Sequence, residues 1–187
     1  MDAMVTPDRI RMTAEEFKAL PETNVPHELI DGELIVSPTP KDPHQGAVID
    51  MLRYLLQKVT TGIFRVAPME VHFDDGNIVE PDIFWVSGPD SKCKLGDDGY
   101  WYGAPDLIVE VLSPSTEARD RKAKYELYEK YGVREYWLAQ PEARFIEVFV
   151  LVAGKFTRKG LFEIGHAFFS DVLGQNVEVS AILNATA

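Results

Sequence analysis

One carboxylate stands where a carboxylate is costly. Glu110 interrupts the apolar run Leu107-Ile108-Val109-Glu110-Val111-Leu112. A lone charge in a buried strand costs several kcal/mol unless it is paired or binds a metal. Two fates are open to it. It can pair with a buried Arg or Lys, or sit at a strand end that reaches water; or it can serve a metal or a reaction. Asp82 has a similar setting, after Glu80-Pro81 and before Ile83-Phe84-Trp85-Val86. Adjacent strands can present two such carboxylates on one face, a few Å apart. Oxygen-only ligands at that spacing suit Mg²⁺, which takes one or two carboxylates and completes its shell with water and phosphate oxygens. Asp106 repeats the Pro-Asp dipeptide and shares the face of Glu110. Four residues of strand, however, span about 13 Å at about 3.3 Å per residue, too far to chelate one ion, so Asp106 reads as a strand-start residue.

A third group comes from the segment that follows. At about 100° per residue, Glu117, Asp120, Lys124, Leu127, Tyr128 and Tyr131 fall on one helical face, the face with the apolar stripe. Lys124 then points inward toward the carboxylates, and Lys122 to nearly the opposite side. An inward ammonium beside a metal can orient a nucleophilic water and stabilise a pentavalent phosphate. It can equally do no more than neutralise Asp120 or Glu110. His44 projects onto the buried face of its own helix, where capping or packing is the commoner use of a histidine. Lys92, Lys94, Arg119, Arg121 and Lys122 could hold a phosphate backbone or simply be solvated. Trp85, Tyr128, Tyr131 and Trp137 read as core or core-edge aromatics.

These side chains need elements to hold them. Thr13 and Glu16 have the spacing of a capping box, so a short helix runs to about Leu20. Asp31-Gly32 between apolar runs predicts a hairpin over His27–Val36. Pro38, Pro40 and Pro43 predict a loop. Val48, Met51, Leu52, Leu55 and Val59 predict an amphipathic helix over 44–59. Residues 63–73 and 77–86 read as strands joined at Asp74-Asp75-Gly76-Asn77, and 88–104 as a surface loop. The nearly continuous apolar run at 106–112 reads as a strand buried on both faces. A helix closed by Gly132 follows, then a strand at Glu135–Ala139 and a pair, Phe145–Val152 with Lys155–Lys159, around Ala153-Gly154. The order predicts an α/β mixed sheet flanked by helices, with hairpin additions at both ends.

Composition narrows the classes. The chain has 187 residues, 45% hydrophobic and 26% charged, which suits one globular domain over 1–187 and excludes a disordered or collagen-like chain. A single cysteine, Cys93, excludes an internal disulfide and a Cys₂ or Cys₄ zinc site. No apolar run approaches the length of a membrane span. Met1 to Arg11 carries both signs of charge and no apolar core, unlike a signal peptide, so a cytoplasmic protein is expected. The net charge of −11 argues against a large non-specific nucleic-acid surface; it fits either an acidic solvated surface or carboxylates awaiting a divalent cation.

Glu28-Leu-Ile-Asp-Gly-Glu-Leu, Glu80-Pro-Asp82, Pro105-Asp-Leu-Ile-Val-Glu110-Val-Leu-Ser-Pro-Ser, Lys124-Tyr-Glu-Leu-Tyr and Gly132-Val-Arg-Glu-Tyr-Trp137 together resemble the Uma2 family, also called DUF820. The resemblance covers about residues 12–180. That family in turn resembles the PD-(D/E)xK nucleases, which implies a restriction-endonuclease-like fold and Mg²⁺-dependent phosphodiester cleavage. Carried over, Asp82 matches the aspartate of the Pro-Asp motif and Glu110 the acidic residue of (D/E)xK. The motif's lysine should stand at 112, where this chain has Leu112; Lys124 is the substitute the resemblance suggests. Glu33, ahead of Glu28, matches a hairpin glutamate that could be a third metal ligand, with a backbone carbonyl such as that of Val111 completing the shell.

The expectation is a Mg²⁺-dependent DNA endonuclease, with Mn²⁺ as an alternative ion. Asp82, Glu110 and Glu33 would bind the ion, and Lys124 would position water. The alternative is a non-catalytic binding or assembly protein that keeps the fold. A homodimer is expected, because two sites about a two-fold axis cut both strands of a duplex most simply. Phe145–Val152 is its candidate edge.

Overall fold

The computed structural model describes residues 10–21 and 23–183; the stretch before residue 10, where a signal peptide was looked for, lies outside them. Helix α1 (Ala14–Lys18) opens on the capping box: the Thr13 hydroxyl accepts from the Glu16 N–H, and the Glu16 carboxylate accepts from the Thr13 N–H. Strands β1 (His27–Ile30) and β2 (Glu33–Val36) make the expected hairpin. Asp31 and Gly32 both have positive φ, 50° and 73°, as a type I′ turn requires. Helix α2 (Asp42–Lys58) takes Pro43 into its first turn, where a missing N–H costs nothing.

The two long strands expected over 63–86 each break in two. β3 (Ile63–Val66) is parted from β4 (Val71–Asp74) at Ala67-Pro68, and β5 (Asn77–Val79) from β6 (Ile83–Val86) at Glu80-Pro81-Asp82. Proline cannot donate to a ladder, and at both breaks the chain changes sheet. β4 and β5 pair in one sheet, β3 and β6 in the other. The segment expected as a loop holds two short strands, β7 (Lys94–Leu95) and β8 (Trp101–Tyr102), with Cys93 and Trp101 buried.

β9 (Leu107–Val111) leads into one continuous helix: α3 (Glu117–Arg119), a π-helical turn over Asp120–Lys124, and α4 (Tyr125–Tyr131), closed by Gly132 at φ 86°. β10 (Glu135–Gln140) returns parallel to β9. β11 (Phe145–Val152) and β12 (Lys155–Glu163) extend that sheet, and β13 (Ala167–Ser170), β14 (Gln175–Glu178) and α5 (Val179–Leu183) end the described chain.

The result is mixed α/β with two six-stranded sheets rather than the single sheet expected, in the orders β2-β1-β5-β4-β8-β7 and β12-β11-β10-β9-β6-β3, plus the β13-β14 pair. β11 is not an edge: it is hydrogen-bonded to β10 on one side and β12 on the other, so the strand expected to mediate dimerisation is interior. In the second sheet the side chains alternate between two cores. Leu107, Val109 and Val111 join α2 and α5 on one face; Ile108 and Leu112 join Leu127 and Tyr128 of α4 on the other. Both faces are covered, as the apolar run at 106–112 implied. Among the described residues no helix is long and apolar enough to cross a membrane.

Candidate active site

Ile83 pairs with Val109, and Phe84 with Ile108, in the antiparallel β6–β9 ladder. One further step along that register sets Asp82 beside Glu110. The Asp82 N–H lies 3.5 Å from Glu110 Oε2, and Asp82 Oδ2 accepts from the Val111 N–H at 2.7 Å. The two carboxylates therefore meet where β5 gives way to β6, at the corner between the sheets. Glu110 is 2% exposed, whereas the Asp82 side chain is 17% exposed and forms part of an open cleft of about 530 Å³.

Lys124 reaches this point from the π-helical turn. That turn buries both Asp120 and Lys124, and such turns recur at functional sites. The Lys124 ammonium donates to Glu110 Oε1 at 2.9 Å and contacts Glu28 Oε1 at 2.8 Å, with Asp120 Oδ1 at 3.9 Å. Tyr128 donates to the same Glu110 oxygen at 2.7 Å. So of the two fates left open by the sequence the structure shows the first, a pairing with a buried lysine, and Glu110 also lines the cleft. Leu112, where the family motif has lysine, is buried in the apolar core that faces α4.

Glu28, not Glu33, joins the cluster. Glu28 is buried on β1, and its Oε1 also accepts from the Glu80 N–H at 3.0 Å. Glu33 pairs with Ile30 next to the hairpin turn, at the other end of β1, and does not line the cleft. The period-two pattern puts both glutamates on one face; only the tertiary fold decides which end of the hairpin meets the cleft. His44 does line it, with Nε2 3.2 Å from Asp82 Oδ2. Burial lowers its pKa, but the hydrogen bond and charge of Asp82 outweigh this and leave it raised. Asp106 stays out of the site: it accepts from the Ser87 N–H at 2.8 Å and from Arg134 at 3.0 Å. Of the other basic residues considered, Arg119 alone lines the cleft; Arg121 is tied to Glu117 and Glu147.

The charges do not balance. Five carboxylates, Glu28, Glu80, Asp82, Glu110 and Asp120, line the cleft against Lys124 and Arg119, an acidic excess of the sign that a divalent cation would offset. Burial and mutual repulsion raise several of these carboxyls. Burial and the neighbouring Glu28 and Glu70 push Glu80 up to about 7. Burial, with Asp82, Asp120 and Glu28 nearby, raises Glu110 against the pull of Lys124. Burial likewise raises Asp120. Glu28 Oε2 and Asp120 Oδ1 are buried without a hydrogen-bond partner. Among the described residues no group of three or more His, Cys, Asp or Glu side chains is arranged to hold a metal. The adjacent pair Asp82 and Glu110 nonetheless meets the one-or-two-carboxylate demand of a hydrated Mg²⁺. Hard oxygens, surplus negative charge and an open cleft fit such an ion.

Comparison with known families and structures bears on this arrangement. The Uma2 family, described as "Putative restriction endonuclease", matches residues 14–181. A crystal structure from Anabaena variabilis ATCC 29413, described as "a putative nuclease belonging to DUF820", superposes with a TM-score of 0.75 at 20% identity, over 92% of this chain and 98% of that one. At that identity the likeness shows the shared fold. A search of curated proteins finds no match. The chain belongs to the Uma2 family.

Proposed function

We propose that this Uma2 chain is a metal-dependent nuclease that hydrolyses phosphodiester bonds in DNA, with Mg²⁺ or Mn²⁺ as the ion. The observation that carries the reading is the meeting of Asp82 and Glu110 at the floor of an open cleft, backed by an amine and set among more carboxylates than cations. In this reading Asp82, Glu110 and the Val111 carbonyl hold the ion. When bound, the ion supplies Lewis-acid polarisation of the phosphate and neutralises charge that builds on it. Lys124 fixes Glu110 and Glu28 with two of its three N–H groups. The third is left to orient a water for attack on phosphorus. Tyr128 donates to the same Glu110 oxygen as Lys124, and His44 steadies Asp82. The acidic surface keeps nucleic-acid binding local to the cleft. A cytoplasmic setting and a homodimer go with this reading, the dimer now needing an edge other than β11. Light scattering that returns about the monomer's 21.1 kDa rejects the dimer.

One observation favours a second reading. Lys124 already sits between Glu28 and Glu110 as an internal cation, as it would in a non-catalytic binding protein that keeps the fold. Nicking of supercoiled plasmid separates the two. The nuclease reading expects wild type to nick with Mg²⁺ or Mn²⁺, to stop with EDTA, and to lose activity in Asp82→Asn and Glu110→Gln. Equal nicking by wild type and variants marks a contaminant, and no nicking by folded wild type supports the second reading.

A further inference from the structure

We infer that Arg119 is the residue that seats the substrate's phosphate; this rests on the nuclease reading and names how that site holds its substrate. Arg119 and Lys124 are the only Lys or Arg side chains that line the cleft among the described residues. The Lys124 side chain is 3% exposed and already bound to two carboxylates. The Arg119 side chain is 18% exposed. Its Nη1 donates to Ser37 Oγ at 2.8 Å. Its Nε is buried without a partner: Glu28 Oε2 and Asp120 Oδ1 stand 3.7 and 4.0 Å away, beyond hydrogen-bond reach. A guanidinium carries five N–H donors, so Arg119 holds donors in reserve in a wall that also carries the carboxylates Glu28, Glu80, Asp82, Glu110 and Asp120. A phosphodiester entering that wall is repelled by Glu80 and Asp82 and needs a fixed counter-charge. The planar fork of arginine matches two phosphate oxygens at once, and the Ser37 hydroxyl sets its direction. Because one such cation faces the cleft, it seats one phosphate at a time.

The test is hydrolysis of bis(p-nitrophenyl) phosphate, a single phosphodiester, by wild type, Arg119→Gln, Arg119→Lys and Ser37→Ala. Arg119→Gln is expected to raise KM by about 10- to 100-fold, the range for losing a hydrogen bond to a charged group, with kcat changed far less. On a short oligonucleotide it should reduce the salt slope of binding by about one. Arg119→Lys restores the charge but only part of the affinity, and Ser37→Ala shifts KM in the same direction by less. If Arg119→Gln fails to fold by circular dichroism, the lysine and Ser37 variants decide. Wild-type KM and salt slope in the folded variants overturn the inference while leaving the nuclease reading intact. If wild type cleaves nothing, the nuclease reading falls instead. Calorimetric titration with inorganic phosphate then decides Arg119 separately: binding that vanishes in Arg119→Gln upholds it, and identical titrations overturn it.

Discussion

Lys124→Met removes the ammonium from between Glu28 and Glu110, and its cost can be worked from the geometry. Lys124 is 2% exposed and faces carboxylate oxygens at 2.8, 2.9 and 3.9 Å. The burial that disfavours its charge is outweighed by Glu110, Glu28 and Asp120, so the group stays protonated. Taking one partner from a buried pair costs about 3–5 kcal/mol, because the charge left behind is uncompensated. For a chain of this size each kcal/mol lowers Tm by about 2–4 °C, so a drop of about 6–20 °C is expected at pH 8. The loss should shrink on acidification. Without the amine the carboxylates titrate higher still, the folded state binds protons that the unfolded chain does not, and stability therefore falls as pH rises. The double variant Glu110→Gln/Lys124→Met, which keeps an acceptor for Tyr128 but removes one stranded charge, should lose less than Lys124→Met alone. Thermal and urea unfolding followed by circular dichroism at pH 5.5 and pH 8 measure the Tm and the free energy. A loss below about 1 kcal/mol at pH 8, or one that is equal at the two pH values, refutes the reasoning, since a fully buried amine clamped by charged carboxylates cannot be neutral to remove.

The metal-free protein should itself be more stable at pH 5.5 than at pH 8: at pH 5.5 Glu80, pushed from 4.5 to about 7, and the raised Glu110 hold protons in the folded state that the unfolded chain has already released, and this stabilisation is lost as the folded groups give them up toward pH 8. Mg²⁺ should therefore raise Tm more at pH 8 than at pH 5.5, and by about 2.7 kcal/mol of stability when present at about 100 times its Kd; a Tm that ignores Mg²⁺ at both values argues against the metal. Asp82→Asn should abolish nicking while Tm moves little, because the amide oxygen can still accept from the Val111 N–H; melting and plasmid assays on one preparation check it. Asp106→Ala should show the opposite pattern, a loss of about 1–3 kcal/mol from the stranded Ser87 N–H and Arg134, with nicking per folded molecule unchanged.

The parts of the site that were legible in the sequence are those set by local rules. Glu110 and Asp82 stood out as carboxylates against apolar runs, and the β6–β9 register places them side by side. Lys124 fell on the stripe with Leu127 and Tyr128, and that stripe does face the sheet. The spacing argument that set Asp106 aside agrees with its pairing to Ser87 and Arg134. What could not be read depends on the path of the chain between sheets. The prolines at 68 and 81 interrupt what looked like two long strands, and periodicity does not say that the chain changes sheet there. The same blindness put Glu33 ahead of Glu28 and made an edge of β11. The π-helical turn has no composition signal, since Asp120–Lys124 reads as ordinary helix.

In the nuclease reading, the sheet-switching corner also bears on why the amine stands at 124 rather than at 112. Side chains at 108, 110 and 112 share one face of β9, and that face is roofed by α4 with Tyr128 and Leu127. A lysine at 112 would enter the apolar core that holds Ile108 and Leu138, where the one acid on its face is Glu110, already held by Lys124 and Tyr128; a buried charge without a free partner costs several kcal/mol. An amine that descends from the roof at the π-helical turn meets Glu110 and Glu28 directly and is neutralised on arrival. In the nuclease reading the motif's amine is thus supplied near Glu110 from position 124 rather than from position 112. Moving the amine back should fail: Lys124→Leu combined with Leu112→Lys is expected to be no more active, and less stable, than Lys124→Leu alone. Melting curves and plasmid nicking on the single and double variants decide it. Recovery of nicking in the double variant would show that position 112 can reach the cleft, and would undo the explanation offered for Leu112.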